Sequence, residues 1–149
     1  MRVAIGADHA GFDLKEDLVA RLEKAGHEVI DVGAFDAAPS DYPDSAAAVA
    51  RAVASGEADR GIAVCGSGAG ASIAAGKIAG IRAATVHDVY TAHQAVEHDG
   101  LNVLAIGSRV IGPEVAWEIT EAFTSAQVSG EERHVRRRAK IDELDRKRA

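Results

Sequence analysis

Residues 60–71 read Arg-Gly-Ile-Ala-Val-Cys-Gly-Ser-Gly-Ala-Gly-Ala: an apolar strand that ends in a thiol, then a glycine-rich turn, then the start of a helix. Backbone N–H groups of such a turn can converge on an anion, and the following helix adds its positive end. The same field lowers a thiol's pKa. This one stretch can therefore supply an anion hole together with a base or a nucleophile. As a nucleophile Cys65 needs a neighbouring base. As a general base it needs only to reach a C–H bond acidified by an adjacent carbonyl. A buried, unreactive thiol is the competing reading of the same residue, and tight helix-on-strand packing is the competing reading of the glycines. No Gly-Lys-Ser/Thr follows, so the turn is not a Walker A loop. It follows the third strand, and no acidic residue closes the next strand, which separates it from the dinucleotide fingerprint.

Three other groups carry chemistry. Asp8-His9 follows the first strand, and His98 precedes the fifth. Arg133 and Arg137 are spaced i,i+4 beside His134, and so share a helix face. A guanidinium pair suits a phosphate, and a solvated basic face is the alternative. His27, His87 and His93 show no partner in the sequence.

The elements that position these groups alternate. A β-branched run over residues 2–6 is a first strand, followed by a polar turn. Leu14, Leu18, Val19 and Leu22 recur at helical spacing up to Gly26. Residues 27–33 are a second strand and 34–44 a loop holding Pro39, Tyr42 and Pro43. An alanine-rich helix spans 45–55, and 59–64 lead into the glycine turn. Further elements are a helix over 71–79, a strand over 81–87, a helix over 89–97 and a strand over 101–107. Pro113 opens a helix with Val115, Ile119, Ala122, Phe123 and Ala126 on its apolar face. Trp117, off that stripe, is a candidate interface residue. A polar break over 127–132 precedes a last charged helix. This order implies a parallel sheet with helices on both faces and right-handed crossovers. Asp8-His9, Gly33, Cys65 to Gly70, His87-Asp88 and Ser108-Arg109 all fall at strand C-terminal ends, where such sheets bind ligands.

At 149 residues the chain reads as one domain spanning 1–149, with the 47% apolar and 27% charged content of a globular protein. A single cysteine excludes an internal disulfide and a cysteine zinc site, and fits a reducing compartment. No secretory h-region and no apolar run of about 18 residues is present, so a cytoplasmic protein without membrane contact is expected. Residues 133–149 hold eight Lys/Arg and three Asp/Glu, against nine and twenty in the remainder. A basic segment on an acidic body argues for an anion site or a subunit contact and against a nucleic-acid partner.

Seven stretches together resemble ribose 5-phosphate isomerase of type B, grouped with the galactose 6-phosphate isomerase subunits. They are Gly6-Ala7-Asp8-His9-Ala10-Gly11, Asp41-Tyr42-Pro43, Cys65-Gly66-Ser67-Gly68, Gly80-Ile81-Arg82-Ala83, Asn102-Val103-Leu104, Gly107-Ser108-Arg109-Val110-Ile111-Gly112 and Arg133-His134-x-x-Arg137. The resemblance implies a Rossmann-like three-layer α/β/α sandwich with a five-stranded parallel sheet and an extra C-terminal helix. It implies a homodimer or dimer-based tetramer with active sites shared between subunits. It also implies aldose–ketose isomerisation of a sugar phosphate, ribose 5-phosphate to ribulose 5-phosphate, through a cis-enediolate and without metal or organic cofactor.

By the same resemblance Cys65 is the base. Ser67 and the N–H groups of Gly66, Gly68, Ala69 and Gly70 stabilise the enediolate, and His98 assists ring opening. Asp8 orients sugar hydroxyls, and Tyr42 lines the pocket. His9, Arg109, Arg133 and Arg137 hold the phosphate. Two positions depart from the family pattern: Asp99 stands where an asparagine is common, and Gly76 stands in a usual Ala-Asn-Lys. Relatives with an aspartate after this histidine resemble isomerases of erythrulose 4-phosphate, a substrate without a stable furanose ring. A non-catalytic nucleotide- or phosphate-binding module is the reading from a different class; it explains the glycine turn but not Cys65, His98 and the arginine pair together.

Overall fold

The computed structural model describes residues 1–147; the last two residues of the basic segment lie outside it. Strands and helices alternate as β1 (Arg2–Ala7), α1 (Phe12–Lys24), β2 (Glu28–Asp31), α2 (Tyr42–Ala54), β3 (Arg60–Cys65), α3 (Ala69–Ala75), β4 (Ala83–Thr85), α4 (Val89–Asp99), β5 (Val103–Gly107), α5 (Pro113–Ser125) and α6 (Glu132–Arg146). All strand pairs are parallel, in the order β2-β1-β3-β5-β4. The chain leaves β1 toward β2 on one side and reaches β3 on the other. The switch point therefore lies between the C-terminal ends of β1 and β3, where Asp8-His9 and Cys65-Gly66 emerge.

Strand alternation sorts the side chains into two cores. Val3, Ile5, Ile62, Val64, Leu104 and Ile106 pack with Leu14, Leu18 and Leu22 of α1, Val96 of α4, and Ile119 and Phe123 of α5. The opposite face meets α2 and α3 through small residues. Ala63, Cys65 and Ala105 pack with Ala46 and Ala71, and Ala4 and Val103 with Val49, Ala50 and Ala75. Small side chains let these helices lie close. A Cβ on Gly61 would stand 2.5 Å from Val49 Cγ1.

Several boundaries differ from the sequence expectation. Helix α2 begins at Tyr42, three residues before the expected start, because Pro43 sits in the first turn, where its missing N–H costs nothing. Strand β4 is only three residues long. Helix α4 runs on to Asp99 and is closed by Gly100 in the left-handed conformation, so His98 and Asp99 belong to its last turn. On α5 the buried stripe is Ala116, Ile119, Thr120 and Phe123, and Val115 is exposed. Thr120 and Thr124 enter the core because their hydroxyls donate to the carbonyls of Ala116 and Thr120. Trp117 packs half-buried against the same core. Arg60 closes α5 by donating to the carbonyls of Phe123 and Ala126. Among the described residues no helix is long and apolar enough to cross a membrane.

Candidate active site

Cys65 is the last residue of β3, and its side chain is 4% exposed. The N–H of Gly68 donates to its Sγ at 3.1 Å. That bond requires the loop to double back, and Gly68 does so at φ 79°, a conformation open to glycine. Ser67 is exposed, and its Oγ accepts the Ala69 N–H at 3.2 Å. The next N–H groups, of Gly70 and Ala71, lie in the first turn of α3 and have no intrahelical acceptor.

The loop is clamped from β4 and β5. Thr85 Oγ1 donates to the Gly68 carbonyl at 2.9 Å. The Ser108 and Arg109 N–H groups donate to the carbonyls of Cys65 and Gly66 at 2.8 and 3.0 Å. Where β4 ends, the ladder loses its acceptor, and His87 Nε2 replaces it by accepting the Gly107 N–H at 2.9 Å. His87 thus has the partner that the sequence did not reveal. The spacing of His87 after a strand was the only available signal, and Thr85 gave none.

Around this loop stand Asp8, His9, Tyr42 and Arg109. Asp8 is buried, and its carboxylate accepts the Gly11 N–H at 3.0 Å, a local turn that fixes the end of β1. His9 is exposed; Ser40 Oγ accepts its N–H, and its Nδ1 lies 3.2 and 3.1 Å from the N and O of Ser40. The Tyr42 ring covers Gly70 so closely that a Cβ there would stand 2.6 Å from Cε2. The Arg109 guanidinium lies 3.4 Å from where a Gly66 Cβ would be. Two cavities flank the crevice. One of about 280 Å³ is lined by Ser40, Asp41 and Asp44, and one of about 380 Å³ by Ala10, Ser108 and Arg109.

His98, Asp99, Arg133 and Arg137 are not brought to this crevice. Helix α4 runs antiparallel to the strands, so its last turn lies at the opposite edge of the sheet. There the Asn102 carbonyl accepts the N–H of Gly61, four residues, or roughly 13 Å, before Cys65. At that edge the His98 ring stacks on His134 with centroids 4.0 Å apart. Arg138 donates to the His98 carbonyl at 3.1 Å. Arg133 and Arg137 project from α6 into solvent, Arg133 paired with Glu131 at 2.9 Å. The sequence-predicted residues therefore fall into two groups at opposite edges of the sheet.

A parallel, Rossmann-like sandwich with a thiol and amide groups at its switch point defines an α/β protein with its chemistry at the strand ends. The comparisons specify which. The model of the Ribose/Galactose Isomerase family matches residues 3–141. Ribose-5-phosphate isomerase B of Escherichia coli strain K12 is 47% identical over 147 residues, covering 99% of this chain and 98% of that one. The D-erythrulose-4-phosphate isomerase of Pectobacterium atrosepticum is 42% identical over 132 residues, covering 87% and 86%. The solved structure of Clostridium thermocellum ribose-5-phosphate isomerase B superposes with a TM-score of 0.97 at 45% identity, covering 100% of both chains. The chain belongs to the Ribose/Galactose Isomerase family and is a sugar-phosphate isomerase, an enzyme that interconverts an aldose phosphate and a ketose phosphate.

Proposed function

We propose that this single isomerase domain interconverts ribose 5-phosphate and ribulose 5-phosphate through a cis-enediolate, with Cys65 as the base. The observation that carries the reading is the Gly68 N–H on Cys65 Sγ at 3.1 Å, inside a loop whose following amides lack intrahelical acceptors. Cys65 removes the C2 proton of the open-chain aldose and returns it to C1. The electron pair of the broken C–H bond becomes the C1–C2 double bond, and a second proton passes from O2 to O1. Ser67 and the amides of Gly66, Gly68, Ala69 and Gly70 hold the charge that develops on the oxygens. Such fixed dipoles bind the enediolate more tightly than the substrate, which is what raises the rate. Asp8 and Tyr42 orient the sugar. His9 and Arg109 reach the phosphate from the Cys65 edge.

His98, Asp99, Arg133 and Arg137 act from a second copy of the chain, in a homodimer or a dimer-based tetramer. Their place at the far edge of their own sheet supports this division. His98 then opens the furanose ring, and the two arginines complete the phosphate site. The reaction draws on no metal or organic cofactor, and the free thiol suits the reducing cytoplasm. Asp99 favours a second reading. A carboxylate in place of an amide removes a donor to the sugar, and the related Pectobacterium protein is named for erythrulose 4-phosphate.

Replacing Cys65 with Ser or Ala is expected to leave a folded protein and to lower turnover by several orders of magnitude; near-normal activity refutes the base. Mixing Cys65→Ala and His98→Ala chains, each impaired alone, tests the shared site. Random pairing leaves one intact site in every mixed dimer, about a quarter of wild-type activity. The kcat/KM ratio for ribose 5-phosphate and erythrulose 4-phosphate decides between the two substrates.

A further inference from the structure

Resting on the isomerase reading, we propose that His134 is a positioning residue for ring opening: its imidazole, stacked face to face on His98, sets the plane of the side chain that a second copy presents to the sugar. Helix α6 buries only one residue, His134, which is 2% exposed; Arg138, Asp142 and Asp145 are half-buried and its other described residues are exposed. Val135, Ile141 and Leu144 of the same helix face solvent. Simple docking of α6 would place one of these apolar residues in the single buried position, yet an imidazole occupies it.

Its contacts are specific. The two rings lie 4.0 Å apart with their planes 25° off parallel. Ser129 Oγ accepts the Glu131 N–H at 3.1 Å and lies 2.9 Å from His134 Nδ1, to which its own proton can be donated. Gln94 Nε2 lies 2.9 Å from His98 Nδ1. An amide donating there leaves the His98 proton on Nε2, the nitrogen that exchanges with substrate. The helix register is locked around the pair. Arg138 donates to the carbonyls of His98 and Ser129 at 3.1 and 2.7 Å, and the Ser129 N–H donates to the Glu97 carbonyl at 2.8 Å.

Burial, with the nearby His98, Arg133 and Arg137 outweighing Glu131, holds His134 below the usual histidine range. It therefore stays neutral near pH 7. A neutral ring stacked on the face of His98 fixes the plane of that imidazole without competing for its protons. In the step itself the His98 Nε2–H gives its proton to O4 as the C1–O4 bond breaks with its electron pair on O4. The C1 hydroxyl proton passes to the vacated Nε2 as the C1 carbonyl forms.

The test separates ring opening from enolisation. Conversion of ribose 5-phosphate needs both; incorporation of solvent deuterium at C1 of ribulose 5-phosphate needs only enolisation. His134→Ala is expected to lower kcat on ribose 5-phosphate by about tenfold or more. Deuterium incorporation and the KM for ribulose 5-phosphate should stay within about twofold of wild type, because Cys65 and the arginines are untouched. His134→Phe, which keeps a ring face, should recover most of the conversion. If the alanine chain does not fold, His134→Gln, which keeps the Ser129 bond without a ring, takes its place. Equal loss in both readouts, or loss in neither, overturns the proposal. So does a wild type that turns over only the four-carbon phosphate, in which no ring is opened. A wild type inactive on both sugars overturns the isomerase reading instead.

Discussion

Gly107→Ala is expected to disable the site while leaving the fold. Gly107 ends β5 beside the Cys65 loop, and an added Cβ would stand 2.6 Å from the Ser67 carbonyl carbon, 2.7 Å from its oxygen and 2.8 Å from its Cα. Ordinary contact begins near 3.4 Å, so the two backbones must part by about 0.8 Å. Gly107 cannot retreat freely, because His87 and the β5–β3 pairing hold it. The glycine loop moves instead, carrying Ser67 and the Gly68 amide away from Cys65 Sγ. Misplacement by about 1 Å costs roughly a hundredfold in rate, so kcat should fall about 30- to 100-fold. Overpacking of this kind costs about 1–3 kcal/mol, or roughly 2–12 °C of Tm for a chain of this size. Steady-state kinetics on the preferred sugar phosphate, with a thermal melt of the same sample, reads both quantities. Activity within threefold of wild type would show that the loop tolerates the shift and that its position is not what the chemistry depends on.

Lys15 is fully buried, and its Nζ donates to Asp31 Oδ2 and the Ala34 carbonyl, both at 2.7 Å, with Glu16 at 2.8 Å. Lys15→Met strands the Asp31 carboxylate and should cost about 3 kcal/mol, a Tm drop near 9 °C by thermal melt; a change under 2 °C would show the pair to be dispensable. Stability should also fall on mild acidification. His134 and His27 are both held below their ordinary value of 6.5, chiefly by burial, and His27 Nδ1 has no hydrogen-bond partner among the described residues. The unfolded chain then binds protons near 6.5 that the folded chain refuses, so this stability is complete above that pH and is lost as pH falls through the depressed folded values. Tm measured from pH 7.5 to 5.5 at constant ionic strength should decline, less steeply in His134→Phe; a flat or rising Tm contradicts the assignment.

The sheet and its helices were legible because β-branched runs and 3.6-residue apolar spacing alternate along the chain. The errors came where a residue type has two uses. Proline reads as loop punctuation, yet Pro43 starts α2. Threonine reads as surface, yet Thr120 and Thr124 hide their hydroxyls on the preceding turn of α5 and enter the core. Within the candidate site, the strand, turn and helix start around Cys65 were legible because their geometry is local. Lys15, Thr85 and His87 were not, because what matters about each is a partner 16 to 20 residues away. His134 was legible as part of a motif, but its stack on His98 exists only once α6 folds back on α4.

Which edge of the sheet a residue occupies follows from direction, and direction is what a motif does not carry. In a parallel sheet every strand ends at one edge, and each connecting helix carries the chain back to the other. Cys65, Asp8 and Arg109 follow strands and so gather at the first edge. His98 closes a helix and must lie at the second, whatever its family role. The glycines and alanines of α2, α3 and β3 can draw Cys65 close under the helices, but they cannot shorten the strand that separates it from His98. If, as proposed, the site needs both residues, it is a site for two chains, and the same rule would assign Arg133 and Arg137, which α6 fixes beside His98, to the chain that donates it.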